Sequence, residues 1–288
     1  MGERKHGITK VIGIADIHIP NIPNKIKDLK EVCETFFEQA RKIVEEAGGP
    51  EFVRIAILGD LYDEKTAISN EALLTGYWFL QELDKICPTV VIAGNHDLNL
   101  QNLSKIDSIT PIFEMADFKQ TGYLDMGFGY KSGFIKDDNV VWCLYSTFSG
   151  FEKPDFMAYK EANKDVFGDD VVYIGLIHGE INGAVSQNNM VSETALDVGL
   201  FDGTDFVIAG HIHRQQTIEG NGTKIVYCSS LKQKNFGETI SGHGFVLYDV
   251  ISGKFQFVET PNEKTAFYKY SITSLDDVDN NAEKLLNP

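Results

Sequence analysis

No stretch of this 288-residue sequence stays apolar for the roughly 18 or more residues that a membrane-spanning helix needs. The opening Met1-Gly2-Glu3-Arg4-Lys5-His6 has no hydrophobic signal segment, and His6 stands where a myristoylation signal carries Ser or Thr. No membrane attachment is therefore expected. Cysteine is scarce as well: Cys33, Cys87, Cys143 and Cys228 lie far apart, each in an apolar segment. Such spacing argues against a disulfide framework or a zinc clip, and predicts buried free thiols in a reducing cytoplasm. Positive charge is in deficit, with 26 Lys and Arg against 42 Asp and Glu, for a net charge of −16. An evenly acidic surface repels nucleic acid, so a nucleic-acid substrate would need a local basic patch or a partner. Internal repeats and low-complexity tracts are missing too.

What is present supports one large domain, since 43% of the residues are hydrophobic. Ile26, Leu29, Val32, Cys33, Phe36, Phe37, Ala40, Ile43 and Val44 recur at helical spacing, which predicts a long amphipathic helix ended by Gly48-Gly49-Pro50. A second helix is expected at about 71–86, with Leu74, Trp78 and Leu83 turned toward a sheet. Residues 139–145 read as a strand, and 225–228, 244–248 and 255–258 as short strands joined by glycine-bearing turns. Strand–helix alternation followed by consecutive strands predicts an α/β fold, a two-sheet β-sandwich flanked by helices. Residues 98–125 and 150–169 carry few motifs and are expected to shape a substrate groove.

Five apolar runs, 11–15, 55–58, 90–93, 174–177 and 206–209, end in residues of metal-ligand type. In order these are Asp16 and His18, Asp60, Asn95, His178, then His211 and His213. Ligands of a parallel α/β sheet gather in the crevice at the carboxyl ends of the strands, so five strand ends would aim at one place. Seven N/O ligands exceed the four of a tetrahedral zinc. They suit two ions about 3.5–4 Å apart, with a carboxylate between them. Asp60 is the natural bridge. Asp16, His18 and His213 would complete one metal, and Asn95, His178 and His211 the other. On an extended chain, residues two apart point the same way, which would bring Asp16 with His18 and His211 with His213. Glycine before Asp60, Asn95 and His211 permits a sharp turn and close backbone approach.

His96 is the expected catalytic residue, with Asp97 beside it to fix its tautomer or raise its pKa. An imidazolium there could bind the substrate phosphate and protonate the leaving oxygen. Taken singly, an Asp-x-His or a Gly-Asp is usually structural. The series of five on strand ends is not. His6 and His243 fall outside the pattern and read as solvent or turn histidines.

The order Asp-x-His, Gly-Asp, Gly-Asn-His-Asp, His, Gly-His-x-His resembles that of the calcineurin-like metallophosphoesterases, over about 12–249. The resemblance implies that family's α/β sandwich, two divalent metals and hydrolysis of a phosphate ester. Manganese is expected first, with iron, zinc or magnesium as alternatives. It also implies the seven ligands named above and a catalytic role for His96. The implied reaction is attack of a hydroxide on phosphorus, with His96 assisting the leaving oxygen.

Within that superfamily the chain is most similar to the SbcD-type DNA repair nucleases. Gly59-Asp60-Leu61-Tyr62, the run Gly210-His211-Ile212-His213-Arg214-Gln215-Gln216, and Ile225 to Leu231 followed by Phe236-Gly237-Glu238 and Gly244-Phe245 carry this likeness. Cys228-Ser229 stand where Pro-Gly is usual. Asp63 stands where many of these nucleases have a histidine tied to exonuclease action. The implied substrate is DNA, contacted by Arg214, Lys232 and Lys234, with Lys224 in the same cluster. An SbcC-type ATPase is the implied partner, with room for a homodimer. Residues 1–262 would form the catalytic domain and 263–288 a tail, with 267–272 opening a capping domain. The alternative is a small-molecule phosphodiesterase or phosphatase, acting on a cyclic nucleotide or dinucleotide polyphosphate through the same metals.

Overall fold

Alternation along the strands sorts their side chains to two faces. In the computed structural model, which describes residues 7–99, 102, 104–165, 171–193 and 195–269, this sorting builds three apolar layers around two sheets. The elements in chain order are β1 (Lys10–Ile14), α1 (Pro23–Ala47), β2 (Val53–Leu58), α2 (Asn70–Asp84), β3 (Thr89–Ile92), α3 (Thr110–Met115), β4 (Thr121–Tyr123) and α4 (Leu124–Gly127). Then come β5 (Gly133–Asp137), β6 (Val140–Tyr145), α5 (Phe156–Asn163), β7 (Val172–His178), β8 (Phe206–Gly210), β9 (Gln216–Glu219), β10 (Lys224–Tyr227), β11 (Gly244–Asp249) and β12 (Lys254–Glu259).

One sheet has the order β12-β11-β1-β2-β3-β4 and the other β5-β6-β7-β8-β10-β9. β1 to β4 pair in parallel, as do β6, β7, β8 and β10, while β11, β12, β5 and β9 add antiparallel edges. Val11, Ala56 and Leu58 of the first sheet meet Leu144, Leu176, Ile208 and Val226 of the second in the central layer. The opposite parity, Ile12, Ile14, Ile55 and Ile57, faces α1 and α2. Val141, Val207, Ala209 and Ile225 point away from the centre to meet Phe156 and Phe201. The expected two-sheet α/β sandwich is therefore the observed fold. Its parallel strands from both sheets bring their carboxyl ends to one edge.

Pro23 opens α1, and Gly48, at φ 97°, closes it with N–H bonds back to Val44 and Glu45. α2 corrects one expectation: Leu74 is 67% exposed, and the buried face is Ala72, Thr75, Phe79, Leu80 and Leu83. Leu74 lies outside that arc, so apolarity alone misassigned it. His243 is another correction, because it is buried, with Nδ1 at 3.0 Å from Ser230 Oγ and Nε2 at 2.8 Å from the Thr239 carbonyl. Residues 98–125 contain α3, β4 and α4, and 150–169 contain α5. Among 267–272, residues 267–269 form no strand, and 270–272 lie outside the described residues, as does His6.

Arg54 occupies an inward position at the start of β2, where an apolar side chain would suit the pattern. Its guanidinium makes a two-point contact with Asp137 of β5, Nε to Oδ2 at 2.7 Å and Nη2 to Oδ1 at 2.9 Å, which ties one sheet to the other. Trp142 Nε1 donates to the same Oδ2 at 3.2 Å. Removing one partner of a buried pair costs about 3–5 kcal/mol because the other charge is stranded. The Asp137 side chain is 29% exposed, so water would moderate the loss. Asp137→Ala is expected to lower stability by about 2–3 kcal/mol, read as a lower urea midpoint at unchanged slope. A midpoint within error of the parent would show that the pair contributes nothing.

Candidate metal centre

Four residues of the expected ligand set sit in left-handed backbone: Asp16 (φ 53°), His18 (φ 48°), Asp60 (φ 53°) and His211 (φ 96°). Such conformations cost about 1–3 kcal/mol each and persist where surrounding structure imposes them. They also correct the extended-chain argument. Asp16 with His18, and His211 with His213, converge through tight left-handed turns just past β1 and β8. Backbone bonds hold those turns: His18 N–H donates to the Asp60 carbonyl at 3.0 Å, and Asp16 N–H to that of Gly59 at 3.1 Å. At Gly59, φ is 80°, and a Cβ would stand 2.6 Å from Gly94 Cα, so only glycine lets these two turns meet.

All seven predicted ligands come together. The first half gathers at His18 and His213, whose Nε2 atoms are 3.0 Å apart, with Asp16 Oδ1 3.3 Å from His213 Nε2 and 3.7 Å from His18 Nε2. In the second half, Asn95 Oδ1 lies 3.1 Å from His178 Nε2 and 2.8 Å from His211 Nδ1. Asp60 stands between the halves. Its Oδ2 is 3.7 Å from His18 Nε2 and its Oδ1 3.3 Å from His178 Nε2. With one oxygen facing each half, Asp60 could serve both cations.

The donor set fits two divalent cations. His178 Nδ1 donates to the Leu58 carbonyl at 2.6 Å, and His213 Nδ1 to Glu238 Oε1 at 2.9 Å. Each bond fixes the tautomer and leaves the Nε2 lone pair directed into the cluster. Asp16, His18 and His213 form one group whose ligand atoms are close enough to share an ion, and Asp16, Asp60 and His178 form another. A third such group is His18, Asp63 and His96.

Without cations, the clustered charges are balanced by protons. Burial disfavours a charged imidazole at His178, but the Asp60 carboxylate overrides it and raises the ring to about 9. Burial likewise opposes charge at His213, and Asp16 and Glu238 raise it to about 10. His18 is pushed down to about 3 by burial and then by the charge on His213. Asp16 is held below its ordinary range against its burial, chiefly by His213. Cations in the two halves would take over the charge balance that these protons perform.

His96 lies at the cleft wall, its ring edge-on to His18 at 5.0 Å between centroids. Its backbone N–H donates to Asp60 Oδ1 at 2.7 Å, and its Nδ1 to the Asp63 carbonyl at 2.6 Å. Asp97 does not have the role expected of it. It is buried beneath the centre and accepts backbone N–H bonds from Gly94 (2.8 Å), Leu61 (3.0 Å) and Tyr62 (3.4 Å). Burial, then the nearby charge of Asp60, pushes its carboxyl up to about 8. Asp97 therefore clamps the β2 and β3 turns together, and the carbonyl of Asp63 is what sets the His96 tautomer. The Asp63 carboxylate pairs with Lys234 at 2.8 Å.

Lys234 reaches the centre itself, with Nζ 3.2 Å from His18 Nδ1. Lys232 lines a cavity on that side, whereas Arg214 lines one on the other side and donates to Asn189 Oδ1 at 2.8 Å. Lys224 is not part of this cluster, because it starts β10 at the end away from the centre. Sequence reasoning missed Glu238. Its side chain is only 4% exposed and also accepts from Lys234 N–H at 2.8 Å and Asn235 Nδ2 at 3.1 Å. The signal was present in Phe236-Gly237-Glu238, but no local pattern connects that run to His213.

Buried carboxylates, imidazoles and an amide at parallel strand ends define a metal-dependent phosphoesterase centre. Residues 9–215 match the model of the calcineurin-like phosphoesterases, and the chain belongs to that family. Among curated proteins it is similar to the uncharacterized protein R555 of Acanthamoeba polyphaga mimivirus, at 28% identity over 91% of this chain and 19% of that protein. It is also similar to the uncharacterized metallophosphoesterase YhaO of Bacillus subtilis (strain 168), at 23% identity over 85% of this chain and 58% of that one. The chain thus spans less than two thirds of either relative. Among solved structures, GAP50, the anchor in the inner membrane complex of Plasmodium, aligns with a TM-score of 0.47 at 12% identity, covering 97% of this chain and 95% of that one.

Second-sphere carboxylates of this kind typically contribute about 10–100-fold to metal affinity. Glu238→Ala is expected to weaken binding of one of two Mn²⁺ ions by that factor in competition with a chromophoric chelator, while Asp60→Asn weakens both. Unchanged affinity in Glu238→Ala would reduce Glu238 to a loop anchor.

Proposed function

We propose that the chain is the catalytic core of a DNA phosphodiesterase, an SbcD-like exo- or endonuclease of DNA repair or recombination. One observation carries this reading: the cavity over the metal centre adjoins two further cavities that share no lining residue with each other. The cavity over the centre, about 300 Å³, shares His18 and Lys234 with one of about 230 Å³. It shares Gln187, His213, Gly237 and Glu238 with another of about 360 Å³. A polymer needs an entry and an exit, and a small ester does not. Basic side chains line both arms, Lys232 and Lys234 on one and Arg214 on the other, in a chain of net charge −16. Phosphate contacts of this type hold a nucleic-acid backbone without reading its sequence.

Asp16, His18, His213 and Asp60 would hold one cation, and Asp60, Asn95, His178 and His211 the other. When bound, two divalent cations, manganese first, lower the pKa of water and offset charge on the phosphoryl oxygens. The residues do the positioning. His96 Nδ1 keeps its proton on the Asp63 carbonyl, so any proton passed to a leaving oxygen leaves from Nε2. Lys234 presents its ammonium at the mouth, where a substrate phosphate must compete with Asp63 for it. Asp63, in place of the histidine usual among these nucleases, puts an anion at that point. Efficient exonuclease action is for that reason the less favoured mode.

A second reading, hydrolysis of a small nucleotide ester, is favoured by the acidic net charge. An SbcC-type ATPase would offset the same charge by contributing DNA affinity. The four cysteines are free and buried, which suits a reducing cytoplasm. No helix among the described residues is long and apolar enough to cross a membrane.

The test is Mn²⁺-dependent cleavage of end-labelled single- and double-stranded DNA, with a generic phosphodiester as control. His96→Ala should retain both metals and lose about 10²–10⁴ in turnover. Cleavage of the generic ester with no cut in DNA, alone or with an ATPase partner, would transfer the enzyme to small-molecule substrates. Undiminished turnover in His96→Ala would remove that residue from the reaction.

A further inference from the structure

The cavity beside the centre lies between the first turns of α1 and residues 264–267. Lys25, Lys264, Lys232 and Lys234 all line it, with Phe267 as its aromatic residue. Asp16, Asp28 and Asp63 are also in the lining, with Asp16 held by the His213 side of the centre and Asp63 committed to Lys234. Among the described residues, Lys25, Lys232 and Lys264 form no ion pair. Burial lowers the Lys232 ammonium, and Asp28 opposes that shift. Four lysines against three aspartates leave the cavity a small cationic excess, although the protein carries −16 overall.

Its aromatic wall is built and held. Phe267 N–H donates to Gln233 Oε1 at 2.7 Å, and Gln233 Nε2 donates to the Glu238 carbonyl at 2.9 Å. Gln233 is only 2% exposed, so one buried amide ties this wall to the loop that orients His213. The Phe267 ring packs 5.0 Å from that of Phe236, which is 52% exposed, and the Lys25 ammonium stands 6.0 Å from the Phe267 centroid. Phe236 is exposed and Phe267 half-buried, so the pair presents apolar ring surface at the cavity. Lysines beside a π face match a nucleotide, whose phosphate takes the cations and whose base stacks on the ring.

We infer that this cavity is a subsite for the nucleoside phosphate unit next to the scissile bond. The lysines hold its phosphate and Phe267 stacks its base. The inference rests on the phosphodiesterase reading above, but its chemistry is shared by a DNA strand and a free nucleotide. It assigns Lys25, Lys264 and Phe267 a substrate role.

Binding of a labelled, hydrolysis-resistant phosphorothioate oligodeoxynucleotide and of a fluorescent adenosine diphosphate, followed by anisotropy across a salt series, separates the sources. Thermal midpoint and metal content serve as controls. Lys25 and Lys264 are exposed, so the Lys25→Ala/Lys264→Ala protein keeps its core. For a single strand, releasing the hold on that one phosphate should reduce the log–log salt slope by up to about 0.7. Phe267→Leu should weaken binding about tenfold or more with an unaltered slope. Oligonucleotide binding equal in parent and variants would overturn the subsite and leave the DNA reading intact. Free nucleotide bound with this dependence, and no oligonucleotide, would support the subsite and overturn the DNA reading. A parent that binds neither ligand would overturn both.

Discussion

Asp60 stands at the end of β2 with Oδ1 3.3 Å from His178 of the opposite sheet and Oδ2 3.7 Å from His18. The rest of the centre depends on this carboxylate. It is nearly inaccessible to solvent, and its burial would favour the neutral acid. His178 first, then a side-chain bond and His18, hold it well below the usual carboxylate range. The His96 N–H bond to Oδ1 fixes its orientation and, with the same contact, places the proposed catalytic ring. A shift of β2 against either sheet would separate the two halves of the site, so sheet packing and metal geometry are one constraint.

That constraint explains part of the backbone strain. Of the nine described non-glycine residues at positive φ, four (Asp16, His18, Asp60 and His211) belong to the centre, where short turns must leave strand ends and double back within one cleft. The scaffold holds them by backbone hydrogen bonds and by Asp97 beneath. Asp97 accepts three N–H groups from two turns and so acts as a local clamp. Charge follows a similar division. Acidic residues dominate the molecule as a whole, whereas lysines collect along one arm of the cleft and an arginine along the other. Whole-chain net charge is therefore a poor guide to what this cleft will bind.

Much of the fold and site was legible in the sequence. The seven ligand types at strand ends could be read because strand alternation and the residue that follows a strand are both local in sequence. The long α1 and its glycine stop were readable for the same reason. Local reasoning failed where partners are distant. Leu74 has the right chemistry for a core but the wrong angle around α2. Lys224 is near Lys232 in sequence, yet one strand length carries it to the other end of the sheet. Asp97 adjoins His96 in the chain while its side chain turns beneath the turn instead of toward the ring.

By itself, the sequence determined the chemistry: two carboxylates, four imidazoles and an amide at the ends of buried strands, a set suited to divalent cations and to phosphate esters. Only the tertiary structure decided which atoms face one another. It assigned His213 to Glu238, His96 to the Asp63 carbonyl, and a buried amide, Gln233, to both the centre and the Phe267 wall. These pairings join loops from different strands. Their distances are set by how two sheets pack, and no periodicity within a single segment encodes that.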